Sequence, residues 1–95
     1  MWIRSQNRKI LTNVNEVLIC TMDDNKYFIE GFWNRGSDTL GIYSTEEKAL
    51  RVLDEIQDAI EDTYYYNIEN LGCGSYALKK VCEIYEMPQD EEVEV

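Results

Sequence analysis

Histidine is absent from the 95-residue sequence, and this absence restricts the chemistry that the protein can perform. Histidine is the usual general base near neutral pH and a common zinc ligand. Cysteine is scarce as well, and Cys20, Cys73 and Cys82 include no closely spaced pair of the kind that metal sites use. No spacing singles out a carboxylate or a thiol as a substitute. We therefore predict a protein that is not an enzyme, carries no cofactor or metal, and keeps its thiols reduced in a cytoplasm.

Positive charge is also scarce. Nine Lys and Arg residues stand against nineteen Asp and Glu residues, which gives a formal net charge of −10. Nucleic acids and anionic membranes attract positively charged proteins, so we expect neither as a partner. A positively charged protein partner suits this composition better. The few cations include Arg4 and Arg8 near the start of the chain, where an anion could be held.

Long apolar runs are missing. No stretch approaches the length of a membrane span, and the first six residues lack the apolar core of a signal peptide. A length of 95 residues suits one domain with a single modest core. We predict a soluble, compact domain over residues 1–88, followed by an acidic, mobile tail over residues 89–95.

The stretch Tyr43–Ile60 carries the clearest structural signal. Ser44 and Glu47 have the spacing of a capping box, which predicts a helix that starts at Ser44. Apolar residues then recur at helical spacing, at Ala49, Val52, Leu53, Ile56, Ala59 and Ile60. The acidic residues Glu47, Asp54, Glu55 and Asp58 fall mainly on the other faces. We therefore expect a helix that buries one apolar stripe and exposes carboxylates on its other faces.

The residues before this helix predict a series of strands. Runs rich in β-branched and aromatic residues alternate with turn-forming residues such as Asn34–Asp38. The predicted strands are Trp2–Ser5, Lys9–Val14, Glu16–Met22, Lys26–Trp33 and Thr39–Tyr43. Gly31, inside the fourth strand, indicates either a bulge or a close approach of another group to the backbone. Together these patterns predict an α+β fold in which an antiparallel β-meander of about five strands is followed by one amphipathic helix.

The sequence after the helix is more ambiguous. Thr63–Asn67 either extends the helix or frays from it, and Leu71–Ser75 has the composition of a turn. Ala77–Met87 fits a helix by its spacing and a strand by its content. We favour a returning C-terminal strand over Val81–Met87, because such a strand would close an edge of the sheet, and Pro88 would end it.

Aromatic, Arg and Asn residues form one candidate binding set. These residue types stack on a nucleobase and clamp phosphates. The candidate ligand-binding residues are Arg4, Arg8, Phe32, Trp33, Asn34, Arg35 and Tyr65. Taken singly, most of these positions are also explained as core residues, interface residues or charges at the rim of an interface.

The acidic side of the helix and the tail form a second candidate set. A surface of carboxylates could mimic the phosphates of a nucleic acid and occupy a basic groove on another protein. Ordinary solubility explains the same charge equally well.

Three motifs in the chain resemble a group of small proteins encoded by phages and prophages of Gram-positive bacteria. The motifs are the opening Met1–Gln6, the block Leu40–Ile56 and the close Tyr85–Pro88. The pattern is also similar to the Thoeris anti-defence sponges. That resemblance implies a compact sheet-plus-helix oligomer that captures cyclic ADP-ribose signals of the host and does not degrade them. It identifies no ligand pocket residue by residue.

Residue types and resemblance together favour one function and leave two alternatives. The favoured function is that of a non-catalytic phage anti-defence protein, which sequesters a nucleotide second messenger in the host bacterial cytoplasm. The first alternative is an acidic inhibitor of a host defence protein or nuclease, similar in action to anti-CRISPR proteins. The second is a phage accessory protein with a structural or interaction role. We also expect a homo-oligomer with its pocket between subunits, because so short a chain buries its apolar surface more fully in an assembly.

Overall fold

The chain folds into strands, one long helix and a short C-terminal segment. The computed structural model describes residues 1–22, 25–69 and 84–95 and, within them, all side chains except those of Met22 and residues 62–69. The elements are β1 Trp2–Arg4, β2 Leu11–Asn13, β3 Glu16–Met22, β4 Lys26–Trp33, β5 Gly36–Tyr43, α1 Glu46–Glu69, β6 Tyr85–Glu86 and a 3-10 helix at Asp90–Glu92. This order confirms the predicted α+β fold, with five strands, one helix after them and a late strand.

The strands divide between two sheets. β3, β4 and β5 form an antiparallel meander, whereas β1 lies between β2 and β6 in a second sheet. β6 runs parallel to β1, with Ile3 opposite Tyr85. Val14 and Asn15 connect the two sheets. The Val14 N–H donates to the carbonyl of Met1, next to β1, and the Asn15 N–H donates to the carbonyl of Phe32 on β4. The late strand β6 therefore extends the sheet that contains β1. The sequence predicts a single meander and does not reveal this second sheet.

The turn between β4 and β5 is shorter than its composition predicts. The sequence indicates a turn over Asn34–Asp38, but Gly36 already pairs with Trp33, which leaves Asn34 and Arg35 as the turn. The Trp33 indole Nε1 donates to Asp38 Oδ2 at 2.9 Å across the hairpin. Pairing with β4 thus keeps Gly36–Asp38, whose residue types are common in turns, in an extended conformation.

Gly31 is a close-approach site. A Cβ atom at this position would lie 2.7 Å from Val14 Cγ1 and 2.8 Å from Leu40 Cδ1. The irregularity in the β4–β5 pairing lies between Ile29 and Glu30 instead. The sequence indicates either a bulge or a close approach at Gly31, and the structure shows the close approach, in which core side chains pack against its backbone.

The N-cap of helix α1 lies one residue later than predicted. Thr45 Oγ1 accepts a hydrogen bond from the Lys48 N–H at 3.2 Å, which makes Thr45 the N-cap. The predicted capping box of Ser44 and Glu47 is wrong, because both the N–H and the hydroxyl of Ser44 donate to Asp90 Oδ1, at 2.9 and 3.2 Å. The helix continues to Glu69, so Thr63–Asn67 extends it.

The core lies between α1 and the two sheets. Its buried apolar residues are Ile3, Val14, Ile29, Leu40, Tyr43, Ala49, Val52, Ile56, Met87 and Val93. On the helix the buried stripe is Ala49, Val52 and Ile56, whereas the predicted stripe residue Ile60 is 51% exposed. Both sheets and the C-terminal segment contribute to this core, so each of them is needed to complete it.

The C-terminal segment packs on the body of the protein. Met87 and Val93 are buried, and the Tyr43 hydroxyl donates to the Pro88 carbonyl at 2.8 Å. Gln89 Nε2 donates to the Gln6 carbonyl at 2.7 Å. Residues 89–95, predicted as a mobile tail, are thus docked on the protein through the buried Val93, whereas Val95 is 73% exposed. The predicted strand Val81–Met87 is seen at Tyr85–Glu86, and its first residues, like Leu71–Ser75, lie outside the described ranges.

Buried and acidic surroundings keep Tyr43 protonated. Burial, followed by the nearby carboxylates of Glu55 and Asp90, raises the pKa of the Tyr43 hydroxyl well above its ordinary value. Burial, followed by the charge of Glu55 and the hydrogen bond to it, raises the pKa of Tyr85, whose hydroxyl donates to Glu55 Oε2 at 3.1 Å. Both hydroxyls therefore remain donors at neutral pH, and they tie the C-terminal segment to β5 and α1.

We expect Gln6→Ala to destabilise the fold by about 2 kcal/mol, because it removes three side-chain hydrogen bonds of which one is partly buried. These bonds run to Ile42 N at 2.9 Å, Ile42 O at 3.1 Å and Pro88 O at 3.2 Å. Urea unfolding measures the loss. The control is Gln57→Ala, which removes a bond to Glu61 on the exposed helix face and is expected to cost less than about 0.5 kcal/mol. Equal losses in the two variants would contradict the structural role of Gln6.

Asp90 gives the fold a dependence on acid. Hydrogen bonds from the Ser44 N–H and hydroxyl and the charge of Lys48 lower the pKa of Asp90, outweighing partial desolvation. A carboxyl whose pKa is lower when folded stabilises the protein above its unfolded pKa of about 3.9, and that stabilisation is lost as the pH falls through the folded value. The advantage of wild type over Asp90→Asn in thermal unfolding should therefore shrink below about pH 4. Because the side chain is 36% exposed, we expect an advantage at neutral pH of no more than about 1 kcal/mol. An advantage that grows on acidification would contradict this assignment.

Candidate functional site

Arg4 and Arg8 lie at the end of β1 and in the loop that follows it. Arg4 is half-buried on β1, and its Nη1 donates to the Arg8 carbonyl at 3.4 Å. Arg8 is exposed in the loop between β1 and β2, where its Nη2 lies 3.9 Å from Glu86 Oε1. The distance and the exposure make this ion pair weak, so the Arg8 guanidinium can exchange Glu86 for an anionic ligand at little cost.

A local network of hydrogen bonds holds the loop that carries Arg8. Ser5 is buried, and its hydroxyl donates to Asn7 Oδ1 at 2.7 Å and accepts from the Ile10 N–H at 3.1 Å. Asn7 Oδ1 also accepts from the Lys9 N–H at 2.9 Å. Arg8 itself adopts a left-handed conformation with φ of 68°. These bonds fix the backbone from which Arg8 and the amide of Asn7 project.

Four of the other predicted site residues lie at or next to the β4–β5 turn. Trp33, Asn34 and Arg35 are exposed there, and Phe32 is half-buried on β4. Asn15 Nδ2 donates to Asn34 Oδ1 at 3.4 Å. Arg35 forms no ion pair with any residue that the structure describes. The turn therefore offers one aromatic ring and one uncompensated cation on a convex tip.

The structure does not bring the two arginine groups together. The Gln6 N–H donates to the Leu40 carbonyl at 2.7 Å, so the Arg8 loop lies beside the middle of β5. The tip begins at Gly36, four residues back along that strand, which corresponds to about 13 Å. Tyr65 lies on α1, and its side chain is outside the described part of the structure. The predicted residues thus form two separate groups within one chain.

A cavity beside the Arg8 loop combines an aromatic ring with hydrogen-bonding groups. It has a volume of about 280 Å³ and is lined by Gln6, Asn7, Phe28, Thr39, Leu40, Gly41 and Ile42. Phe28 is half-buried and pairs with Ile42 and Cys20 on the face of the meander opposite Ile29. Asn7 can donate through Nδ2, because its Oδ1 already accepts two bonds. An aromatic wall, an amide and a nearby arginine are the groups that bind a nucleobase and its phosphate.

Sequence reasoning missed Phe28 and Asn7. Phe28 belongs to an aromatic strand, and alternation with the buried Ile29 places it on the opposite face. This signal is present in the sequence, but the strand alone does not reveal that the Arg8 loop crosses beside it. That placement depends on the bonds between Gln6 and β5, which join residues far apart in the chain.

Two further concave surfaces differ in character from the Phe28 cavity. A groove of about 390 Å³ between the first strands and α1 is mainly apolar, with walls formed by Met1, Val14, Val17, Leu53, Ile56 and Ile60. A depression of about 350 Å³ near the start of α1 includes Lys26 and Asp90. Asp90 is already engaged by Ser44 and Lys48 there. Neither surface joins an aromatic ring to an arginine.

The described residues limit the other kinds of site. Within residues 1–22, 25–69 and 84–95, no group of three His, Cys, Asp or Glu residues is placed to hold a metal ion. Over the same residues, no helix is both long enough and apolar enough to cross a membrane. Cys20 is a free, half-buried thiol on β3.

Comparison with known proteins gives no assignment. No protein-family model matches the chain, and no curated protein or solved structure matches it at a significant level. The function must therefore be argued from the residues of the site and from the motifs described above.

Proposed function

We propose that this is a non-catalytic phage anti-defence protein that binds a nucleotide second messenger of the cyclic ADP-ribose type and withholds it from the immune system of the host cell. The observation that carries the proposal is the cavity lined by Phe28 and Asn7, next to the loop that carries Arg8. The ring stacks on the base, and Arg8 with Arg4 holds the phosphates. Such a protein acts by affinity alone and needs no catalytic group.

The motifs that resemble phage proteins support the proposal through the fold. Met1–Gln6, Leu40–Ile56 and Tyr85–Pro88 converge in space, because Gln6 bonds to both Ile42 and Pro88. Tyr43 adds a bond to the same Pro88 carbonyl. The resemblance thus rests on residues that build one structural unit, as expected of proteins that share a fold. The Arg8 loop is attached directly to this unit.

Size and charge are consistent with partial burial of such a ligand. A cavity of about 280 Å³ lies just below the usual range for small-molecule sites, so it takes a base while the phosphates lie over the loop. The net charge of −10 opposes an anion at long range. Arg4, Arg8 and Lys9 supply a local positive field, and at physiological ionic strength distant carboxylates are screened beyond about 8 Å.

We expect Phe28→Ala to weaken binding of cyclic ADP-ribose or one of its isomers by about five- to a hundredfold, because the variant loses the aromatic ring on which the base stacks. Isothermal titration calorimetry with these isomers and with other cyclic nucleotides measures the change. Phe32→Ala is the matched control, because Phe32 lies on the same face of the same strand near the opposite end. It is expected to leave affinity unchanged.

Arginine variants locate the phosphates in the same titrations. Arg8→Ala is expected to weaken binding by about tenfold, as loss of a charge-assisted hydrogen bond requires, and Arg35→Ala to have little effect. A larger loss of affinity in Arg35→Ala than in Arg8→Ala would place the ligand at the β4–β5 turn. No heat with any nucleotide would remove the proposed function.

The acidic surface supports inhibition of a host protein as a second candidate. Carboxylates of Glu46, Glu47, Asp54, Asp58 and Glu61 are exposed along α1, and those of Glu91, Glu92 and Glu94 extend the surface past its start. A phosphate mimic requires such a continuous acidic surface.

Charge reversal on α1 separates the two candidates. Asp54→Lys with Asp58→Lys should leave nucleotide affinity unchanged, because neither residue lines the Phe28 cavity. The same change should abolish capture of a basic host target in pull-downs at low salt. Loss of nucleotide binding in this variant would count against the proposed site.

A further inference from the structure

Within the part of the chain that the structure describes, β3 is an edge strand without the usual protection against pairing. It pairs with β4 alone, and no described residue pairs with the backbone groups of its other edge. The strand spans seven residues, Glu16–Met22, and contains no Pro, Gly or Lys. Natural edge strands usually carry Pro, Lys or a bulge to prevent association. An unprotected edge of this length is suited to pairing with another strand.

Successive side chains of β3 lie on alternate faces of the meander. Val17 and Ile19 pack against the core, so Leu18 and Cys20 lie on the opposite face of the meander. Leu18 pairs with Glu30 and Cys20 with Phe28 on β4. A strand added at the edge would therefore have to supply apolar residues on both faces.

We propose that a second copy of the chain occupies this edge, with the two β3 strands antiparallel about a two-fold axis near Ile19. This register places Leu18 opposite Cys20 of the second copy and Val17 opposite Thr21 of the second copy. At the centre of the interface, Leu18 then meets Cys20 on one face and Ile19 meets its own copy on the other. The strand is thus complementary to itself, as a symmetric interface requires.

Charge favours this edge over other surfaces of the molecule. Each copy carries a net charge of −10, so two copies repel wherever their acidic surfaces approach. Exposed carboxylates are concentrated on α1 and the 3-10 helix, whereas β3 contains a single charged residue, Glu16, at its end. The proposed register sets Glu16 against Met22 of the second copy and avoids like charges opposite each other.

This pairing goes beyond the proposed function and does not depend on it. It joins the two meanders into one six-stranded sheet. A two-fold axis perpendicular to the sheet places both Phe28 residues on the same face, about 16 Å apart by the usual strand spacing and rise per residue. The interface therefore creates a face with two equivalent cavities, whatever ligand they bind.

A charge-swap pair tests both the interface and its register. Leu18→Lys with Cys20→Lys places two lysines opposite each other across the interface and should weaken the dimer by about tenfold or more. Leu18→Lys with Cys20→Glu places Lys opposite Glu and should restore dimerisation to near the wild-type level. Sedimentation equilibrium measures the dissociation constants, and circular dichroism verifies that both variants are folded.

The contrary outcomes are distinct. A wild-type protein that sediments as a monomer would overturn the proposal. A dimer that is equally strong in both double variants would place the interface elsewhere on the surface. Weakening in both variants would reject the register about Ile19, because pairing centred on Leu18 sets that lysine against itself in either case.

Discussion

The Gln6 side chain joins three parts of the chain that are distant in sequence, and the rest of the fold depends on this junction. Its amide bonds to both the N–H and the carbonyl of Ile42, as the backbone of a neighbouring strand would. The same amide donates to the Pro88 carbonyl, which also accepts from Tyr43. The first strand, the end of the meander and the C-terminal segment are therefore held at one point. Met87 and Val93 of this segment complete the core.

The candidate site is a consequence of the same junction. Gln6 lies directly before Asn7 and Arg8, so its bonds to β5 place the loop beside Phe28. The loop is kept in shape by Ser5, whose buried hydroxyl both donates and accepts. A ligand at this site would meet a preformed surface, which reduces the entropy lost on binding. Structure and proposed function are thus linked through a few polar residues.

Local patterns predicted the elements, and long-range pairing determined the rest. Ala49, Val52 and Ile56 reveal the helix because its spacing is a property of adjacent turns. The cap was misplaced because the partner of Ser44 is Asp90, which lies 46 residues away. The start of β5 was missed for a similar reason, since pairing with β4 overrides the turn propensity of Gly36 and its neighbours.

The candidate site was predictable only in part, for the same physical reason. Arg4 and Arg8 were selected by residue type, and they lie together as expected of neighbours on one hairpin. Their separation from Trp33 and Arg35 follows from where Gln6 meets β5. A single strand contains no information about that contact. The separation into two sheets, with Ile3 opposite Tyr85, is likewise visible only once the chain is folded.

Native-state hydrogen exchange of individual amides is the most direct measurement of whether the C-terminal segment completes the fold. The Met87 N–H donates to the Arg4 carbonyl at 3.0 Å, and the Ser44 N–H donates to Asp90. We expect Met87 to exchange with an opening free energy close to that of Val52 in the centre of α1, because both belong to one cooperative core. Rapid exchange at Met87 and Ser44, with Val52 still protected, would show that the segment opens independently and would contradict this structure.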